Sequence, residues 1–152
     1  MTINIRRVVT GHDAHGKALV RIDDVGAHVA SGRPNMTRQL IWTTNDLPVH
    51  FVEDREDKGA REIGTTIKNG SVFRVIEFEP GVAPRNHRTD SIDYAVVMSG
   101  EIDMEMDDTV VHLKAGDVLV QRGTIHNWVN QGAEPCVIAF ILISSDGNTA
   151  LG

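Results

Sequence analysis

The feature that most constrains the fold of this chain is the regular spacing of its short apolar runs. Turn signals rich in Gly, Asp and Asn end these runs after roughly ten residues, and none has the 3.6-residue periodicity of a helix. In the clearest run, Ile102, Met104 and Met106 alternate with acidic residues, as in a strand with one buried face. We therefore predict an all-β sandwich or barrel.

Turn residues divide the chain into predicted strands. Residues 11–16 join two N-terminal strands, and Ser99-Gly100 predicts a hairpin. The charged stretch 50–64 lacks apolar periodicity, so we predict an exposed loop there; the alternative is a flap over a site. Further strands are predicted at residues 38–44, at residues 71–81, and on both sides of residues 130–135. Another turn is predicted at residues 115–117.

Composition limits the classes of partner. The 152 residues suit one domain, and the net charge of -6 argues against a nucleic-acid or anionic-membrane partner. The single cysteine, Cys136, allows no internal disulfide and begins an apolar strand, which favours a core position over a nucleophile. Without a signal-like or membrane-spanning apolar run, we expect a cytoplasmic protein with a small-molecule partner.

Two stretches between residues 81 and 130 carry polar residues at fixed spacings. The first stretch contains Gly81, His87, Thr89, Asp93 and Gly100. The second contains Gly116, Gly123, His126 and Asn130. These spacings resemble the two motifs of the cupin family, Gly-x5-His-x-His-x3,4-Glu-x6-Gly and Gly-x5-Pro-x-Gly-x2-His-x3-Asn.

The resemblance has four departures. Thr89 stands in the place of the second histidine, and Asp93 in the place of the glutamate. In the second motif Gln121 replaces the proline, and the segment from Gly116 to Gly123 is one residue short. One imidazole of the usual cupin set is therefore missing.

The resemblance implies a single-domain cupin-type β-barrel, also described as a double-stranded β-helix or jelly roll, with extra N-terminal strands. We predict that residues 71–145 form the barrel core and that residues 1–70, N-terminal strands and a charged loop, belong to the same domain. Residues 146–152 are predicted to be a flexible tail. By analogy with similar cupins, we also expect a homodimer.

Strand alternation places the candidate site residues in one cavity. Positions 87, 89, 91 and 93 share a face of an extended strand, and His126, Trp128 and Asn130 share a face of a later one. His87, Asp93 and His126 would then form a 2-His-1-carboxylate set suited to Fe, Mn, Ni or Zn. The alternative is a metal-free polar cluster in which a histidine acts as acid or base and Asp93 orients it.

Other residues are candidates for the substrate pocket. Tyr94 and Trp128 adjoin the site residues and could wall a small ring, or else fill the core. Arg74 has the strand parity of Ile76 and Phe78, so it would pair with a substrate carboxylate if that face lines the barrel.

The resemblance to cupins implies one of two functions. The first is an enzyme acting on a small oxygenated acid or ring, by dioxygenase, decarboxylase, isomerase or lyase chemistry. The second is a non-catalytic cupin that binds a small sugar or acid.

Overall fold

The computed structural model describes residues 3–51 and 55–147, and its regular elements there are all β-strands. The predicted all-β class is therefore confirmed. The strands are β1 (Arg6–His12), β2 (Ala18–Val25), β3 (Val29–Ser31), β4 (Met36–Thr44), β5 (Ser71–Phe78), β6 (Ser91–Ser99), β7 (Glu101–Glu105), β8 (Val110–Lys114), β9 (Val118–Arg122), β10 (Asn127–Val129) and β11 (Cys136–Ser144).

Two sheets enclose the main core. One has six strands in the order β3-β4-β5-β11-β6-β9, and the other has three in the order β10-β7-β8. Phe78 and Ile138 from the larger sheet pack in one cluster with Ile102 and Met104 from the smaller sheet. The apolar face predicted from the alternation at Ile102 and Met104 is thus the face that closes the core.

The N-terminal residues are built onto the larger sheet. β4 pairs antiparallel with β5 along its length, from Met36 opposite Phe78 to Thr44 opposite Ser71. β1 and β2 form a separate hairpin, whose Arg7 reaches the Ile41 carbonyl oxygen of β4 at 3.0 Å.

The predicted hairpin at Ser99-Gly100 is wrong. β6 pairs with β11 and β9, whereas β7 pairs with β8 and β10, so the chain changes sheets at Gly100. Gly100 has φ 73°, and a Cβ atom there would lie 2.3 Å from the carbonyl oxygen of Pro135. Only glycine passes between the sheets at this point without strain.

Two sequence predictions fall partly on residues outside the described ranges. In the charged stretch, residues 50–51 and 55–64 contain no strand or helix, and residues 52–54 lie outside the description. In the predicted tail, residues 148–152 also lie outside it. Over residues 3–51 and 55–147, no helix is long and apolar enough to cross a membrane.

Candidate functional site

A cavity of about 300 Å³ lies inside the barrel and collects most of the predicted site residues. Its wall includes His87, Thr89, Asp93 and His126 from the two motifs. Because these side chains converge from separate strands and loops, the cavity is the candidate site.

Two histidines face each other at the cavity wall. The backbone amides of His87 and His126 each donate to the other residue's carbonyl oxygen, at 3.0 and 2.9 Å, and their ring centroids are 4.7 Å apart. Each ring has its Nδ1 close to a carbonyl oxygen, 3.0 Å from that of Arg85 for His87 and 2.9 Å from that of Thr124 for His126. A carbonyl only accepts, so each Nδ1 carries the hydrogen and each Nε2 keeps its lone pair.

Both imidazoles are held neutral by their surroundings. Burial lowers the pKa of His87, and the positive charge of Arg85 lowers it further. Burial also lowers the pKa of His126, although the nearby charge of Asp93 opposes this effect. Near neutral pH, two unprotonated Nε2 atoms are therefore available as proton acceptors.

The carboxyl group of Asp93 is buried and partly engaged. Its residue is 5% exposed, and its Oδ1 accepts a hydrogen bond from the Ser91 hydroxyl, whose Oγ lies 2.8 Å from Thr89 Oγ1. Burial raises the pKa of Asp93, while the bond from Ser91 acts in the opposite direction. Strand alternation predicted that position 91 shares this face, but the sequence assigned no role to Ser91.

The residues as arranged do not fit a three-ligand metal set. Among the described residues, no three His, Cys, Asp or Glu side chains are grouped so that they could hold an ion. His87 and His126 offer two nitrogen ligands. The carboxylate of Asp93 accepts a hydrogen bond from Ser91, and Thr89 contributes only a hydroxyl. The metal site at His87, Asp93 and His126 stays a prediction.

The predicted pocket residues divide into two groups. Thr89, Trp128 and Arg74 line the cavity. Tyr94 does not, because it follows Asp93 directly and so points to the opposite face of β6, where it is 45% exposed. The prediction that Tyr94 walls the pocket is therefore corrected. Asn130 is buried, and its amide donates to the carbonyl oxygens of Phe78 and Glu134.

Sequence reasoning missed part of the positive charge in the cavity. Besides Arg74, and Arg85 beside the first motif, which the sequence had also suggested for a substrate carboxylate, the wall contains Arg33 and Arg38. Arg38 could have been found by parity, since it shares the strand parity of Met36 and Leu40 on β4, as Arg74 shares that of Ile76 on β5. Arg33 lies outside any strand and gave no such signal.

Cys136 is a core residue rather than a nucleophile. It is 0% exposed, and burial raises the pKa of its thiol to about 11. A thiol in this state is not reactive near neutral pH.

Comparison with known proteins agrees with this architecture. The family model described as "Cupin domain" matches residues 74–143. The "Cupin-domain-containing oxidoreductase fogC" of Aspergillus ruber is 36% identical over 144 residues, which cover 90% of this chain and 71% of that protein. The chain belongs to the cupin family.

Two further matches place this cupin among its relatives. The "Phomopsin biosynthesis cluster protein C'" of Diaporthe leptostromiformis is 37% identical over 134 residues, covering 82% of this cupin and 70% of that protein. A crystal structure from Klebsiella pneumoniae, an uncharacterised protein with a double-stranded β-helix domain, matches with TM-score 0.53 and 23% identity. The matched region covers 80% of this cupin and 87% of that chain, and the match supports the double-stranded β-helix fold.

Proposed function

We propose that this cupin is an enzyme that transfers a proton on a small oxygenated organic molecule held in the barrel cavity. The observation that carries the proposal is the pair His87 and His126, whose Nδ1 atoms are fixed by backbone carbonyls while both rings line the cavity. Relatives called cupin-domain-containing oxidoreductases support an enzymatic role in general terms. We place this activity in the cytoplasm, as the sequence suggests.

We assign the role of proton acceptor to His126 because of its nearby carboxylate. Burial lowers the pKa of both histidines; at His126 the charge of Asp93 opposes this effect, whereas at His87 the positive charges of Arg85 and Arg33 add to it. In the proposed step, Nε2 of His126 removes a proton from a carbon next to a carbonyl group, and Asp93 stabilises the resulting imidazolium. Return of the proton to a neighbouring atom gives isomerisation, and departure of a β leaving group gives a lyase reaction.

Metal-dependent chemistry is the second candidate, favoured by one observation. Histidines that bind metals usually donate their other ring nitrogen to a carbonyl or carboxylate, as both histidines do here. This hypothesis includes Fe, Mn, Ni or Zn as cofactor and extends the chemistry to decarboxylation and dioxygenation.

The first test is exchange of substrate protons. We would incubate small keto and hydroxy acids with the enzyme in D2O and follow deuterium uptake by NMR. The variant His126→Gln should lose about 100-fold or more of the exchange rate, the usual contribution of a positioned base. The control His112→Gln changes an exposed histidine that contacts Asp103 and Glu101 on the surface, and it should leave the rate unchanged.

The same samples separate the alternatives. Elemental mass spectrometry of protein prepared without chelator should find no stoichiometric metal if the acid-base hypothesis is right. About one equivalent that is lost in His87→Ala would favour the metal hypothesis. Acids that bind without any exchange would favour a non-catalytic cupin that holds a small sugar or acid. Full exchange by His126→Gln would overturn the assigned role of His126.

We also propose a homodimer formed through the outer face of β6 and β9. Tyr94 lies opposite Val120 and Val96 opposite Val118 in the strand register, and these four side chains are 45–72% exposed. Adjacent exposed apolar side chains of this kind often mark an interaction surface.

A further inference from the structure

The cavity wall carries an excess of positive charge without matching acids. Among the described residues, four arginines line it, Arg33, Arg38, Arg74 and Arg85, and Asp93 is the single carboxylate in this lining. Asp93 is bonded to Ser91, and no arginine of this wall forms an ion pair with any acid in residues 3–51 and 55–147. Arg33 and Arg74 are partly buried, and cations in such a place are normally paired, so this part of the wall lacks its counter-charge.

Arg74 has a buried N–H group that donates no hydrogen bond to the described residues. Its Nη2 donates to the carbonyl oxygens of Gly64 and Thr65, at 2.9 and 3.3 Å, and its Nε is buried without a hydrogen-bond partner among the described residues. Burial, together with the charges of Arg38 and Arg85, lowers the pKa of Arg74 to about 10, so the group is still charged at neutral pH. It is therefore a cation that is held in the wall by neutral carbonyls alone.

Arg33 repeats this arrangement from a different part of the chain. Its Nε donates to the Ala83 carbonyl oxygen at 2.7 Å, and its Nη1 lies 3.0 Å from the sulfur of Met36, a weak acceptor. Its Nη2 is buried without a partner in the described part of the chain. Two guanidinium groups of one cavity thus each keep an unused buried N–H group, which is costly unless a ligand accepts it.

We propose that Arg33 and Arg74 form an anion subsite in this cavity and bind the carboxylate of a small organic acid. Guanidinium groups match the planar, two-oxygen geometry of a carboxylate. The rest of the ligand would contact Trp128 and Phe140, which supply apolar surface in the same cavity. The inference rests on the proposed function only in naming this acid as the substrate class; binding itself requires no turnover.

The test compares matched acids and amides by isothermal titration calorimetry in chloride-free buffer. The probes are benzoate and benzamide, 2-furoate and 2-furamide, and pyruvate and pyruvamide. At least one acid should bind at least tenfold more tightly than its amide, and Arg74→Met and Arg33→Met should each remove most of this difference. The control Arg6→Met changes an arginine whose ion pair with Asp23 is exposed, and it should bind as the wild type does.

Further variants guard against a loss of folding and keep the two proposals separate. Arg74→Lys retains the charge but not the fork, so it should bind the acid with intermediate affinity. His126→Gln should bind the acid normally while losing proton exchange. Amides that bind as tightly as acids, acids that bind equally well to Arg74→Met, or no binding by any probe would overturn the anion subsite. Binding of pyruvate and of the other keto and hydroxy acids without exchange of their α protons would instead overturn only the proposed reaction.

Discussion

The contact between the charged loop and the N-terminal hairpin gives a stability prediction that follows from individual atoms. Asp57 Oδ1 accepts from Arg7 Nη1 and from the Gly59 amide, both at 2.9 Å. Its Oδ2 lies 2.6 Å from Arg7 Nη2 and 3.0 Å from His28 Nε2. The side chain of Arg7 is 3% exposed, so Asp57 neutralises a cation that water hardly reaches.

Asp57→Asn should cost about 2 kcal/mol of unfolding free energy at pH 7. The amide keeps the size and the oxygen that faces Gly59, but it turns an NH2 group towards Arg7 Nη2 and loses a charge-assisted hydrogen bond of about 1.5–3 kcal/mol. The cost stays below the roughly 3–5 kcal/mol of a fully buried pair, because Asp57 is 28% exposed and Asp24 still pairs with Arg7. In a domain of this size the melting temperature should fall by about 4–8 °C.

The pH dependence gives the sharper form of this test. The hydrogen bonds from Arg7 and His28 hold the pKa of Asp57 far below its usual range. The stabilisation is therefore complete above the unfolded-state pKa of about 3.9 and is lost as the pH falls through the lower folded-state pKa. Urea unfolding followed by tryptophan fluorescence should show a gap between wild type and Asp57→Asn that is constant from pH 5 to 7 and shrinks towards pH 3.

A matched control isolates the effect of burial. Asp23 pairs with Arg6 at 2.8 Å, but both side chains are exposed, so Asp23→Asn should leave the unfolding free energy almost unchanged. Two results would refute the reasoning. One is a loss of unfolding free energy in Asp57→Asn that equals the loss in Asp23→Asn; the other is a loss in Asp57→Asn that is the same at pH 3 and pH 6.

Two other predictions concern the sheet crossing and the outer face. Gly100→Ala should lower the unfolding free energy by about 2–4 kcal/mol in the same urea assay, through the contact with Pro135 and the positive φ. Gly116→Ala, with positive φ but no atom within 4 Å of the added carbon, should cost less; equal costs would contradict the steric argument. Val118→Asp should convert the proposed dimer to a monomer in analytical ultracentrifugation, whereas Val110→Asp, 60% exposed on β8, should not. A monomeric wild type would exclude the dimer.

Strand parity predicted much of the cavity wall, because alternation is a local property of an extended chain. The structure places Arg74 in the wall with Ile76 and Phe78, as their shared parity required. The same rule explains why Tyr94 is outside, since it adjoins Asp93 and must face the other way. Applied consistently, parity would have excluded Tyr94 from the start.

Features that depend on which strands become neighbours could not be predicted in this way. The turn signal at Ser99-Gly100 is real, but it does not say whether the next strand pairs with β6 or joins the other sheet. Arg33 reaches the cavity from a loop before β4, and only the pairing of β4 with β5 brings that loop to the barrel. No local pattern encodes this contact.

The charge of the wall connects the two hypotheses about the site. Burial lowers the pKa of His87, and the positive charges of Arg85 and Arg33 act on it in the same direction. The same charges would repel a divalent cation at the histidine pair unless an anion were bound nearby. Any metal uptake should therefore be tighter in the presence of benzoate than in its absence. Uptake that is independent of the acid would mean that the arginine charges do not control what the histidines bind.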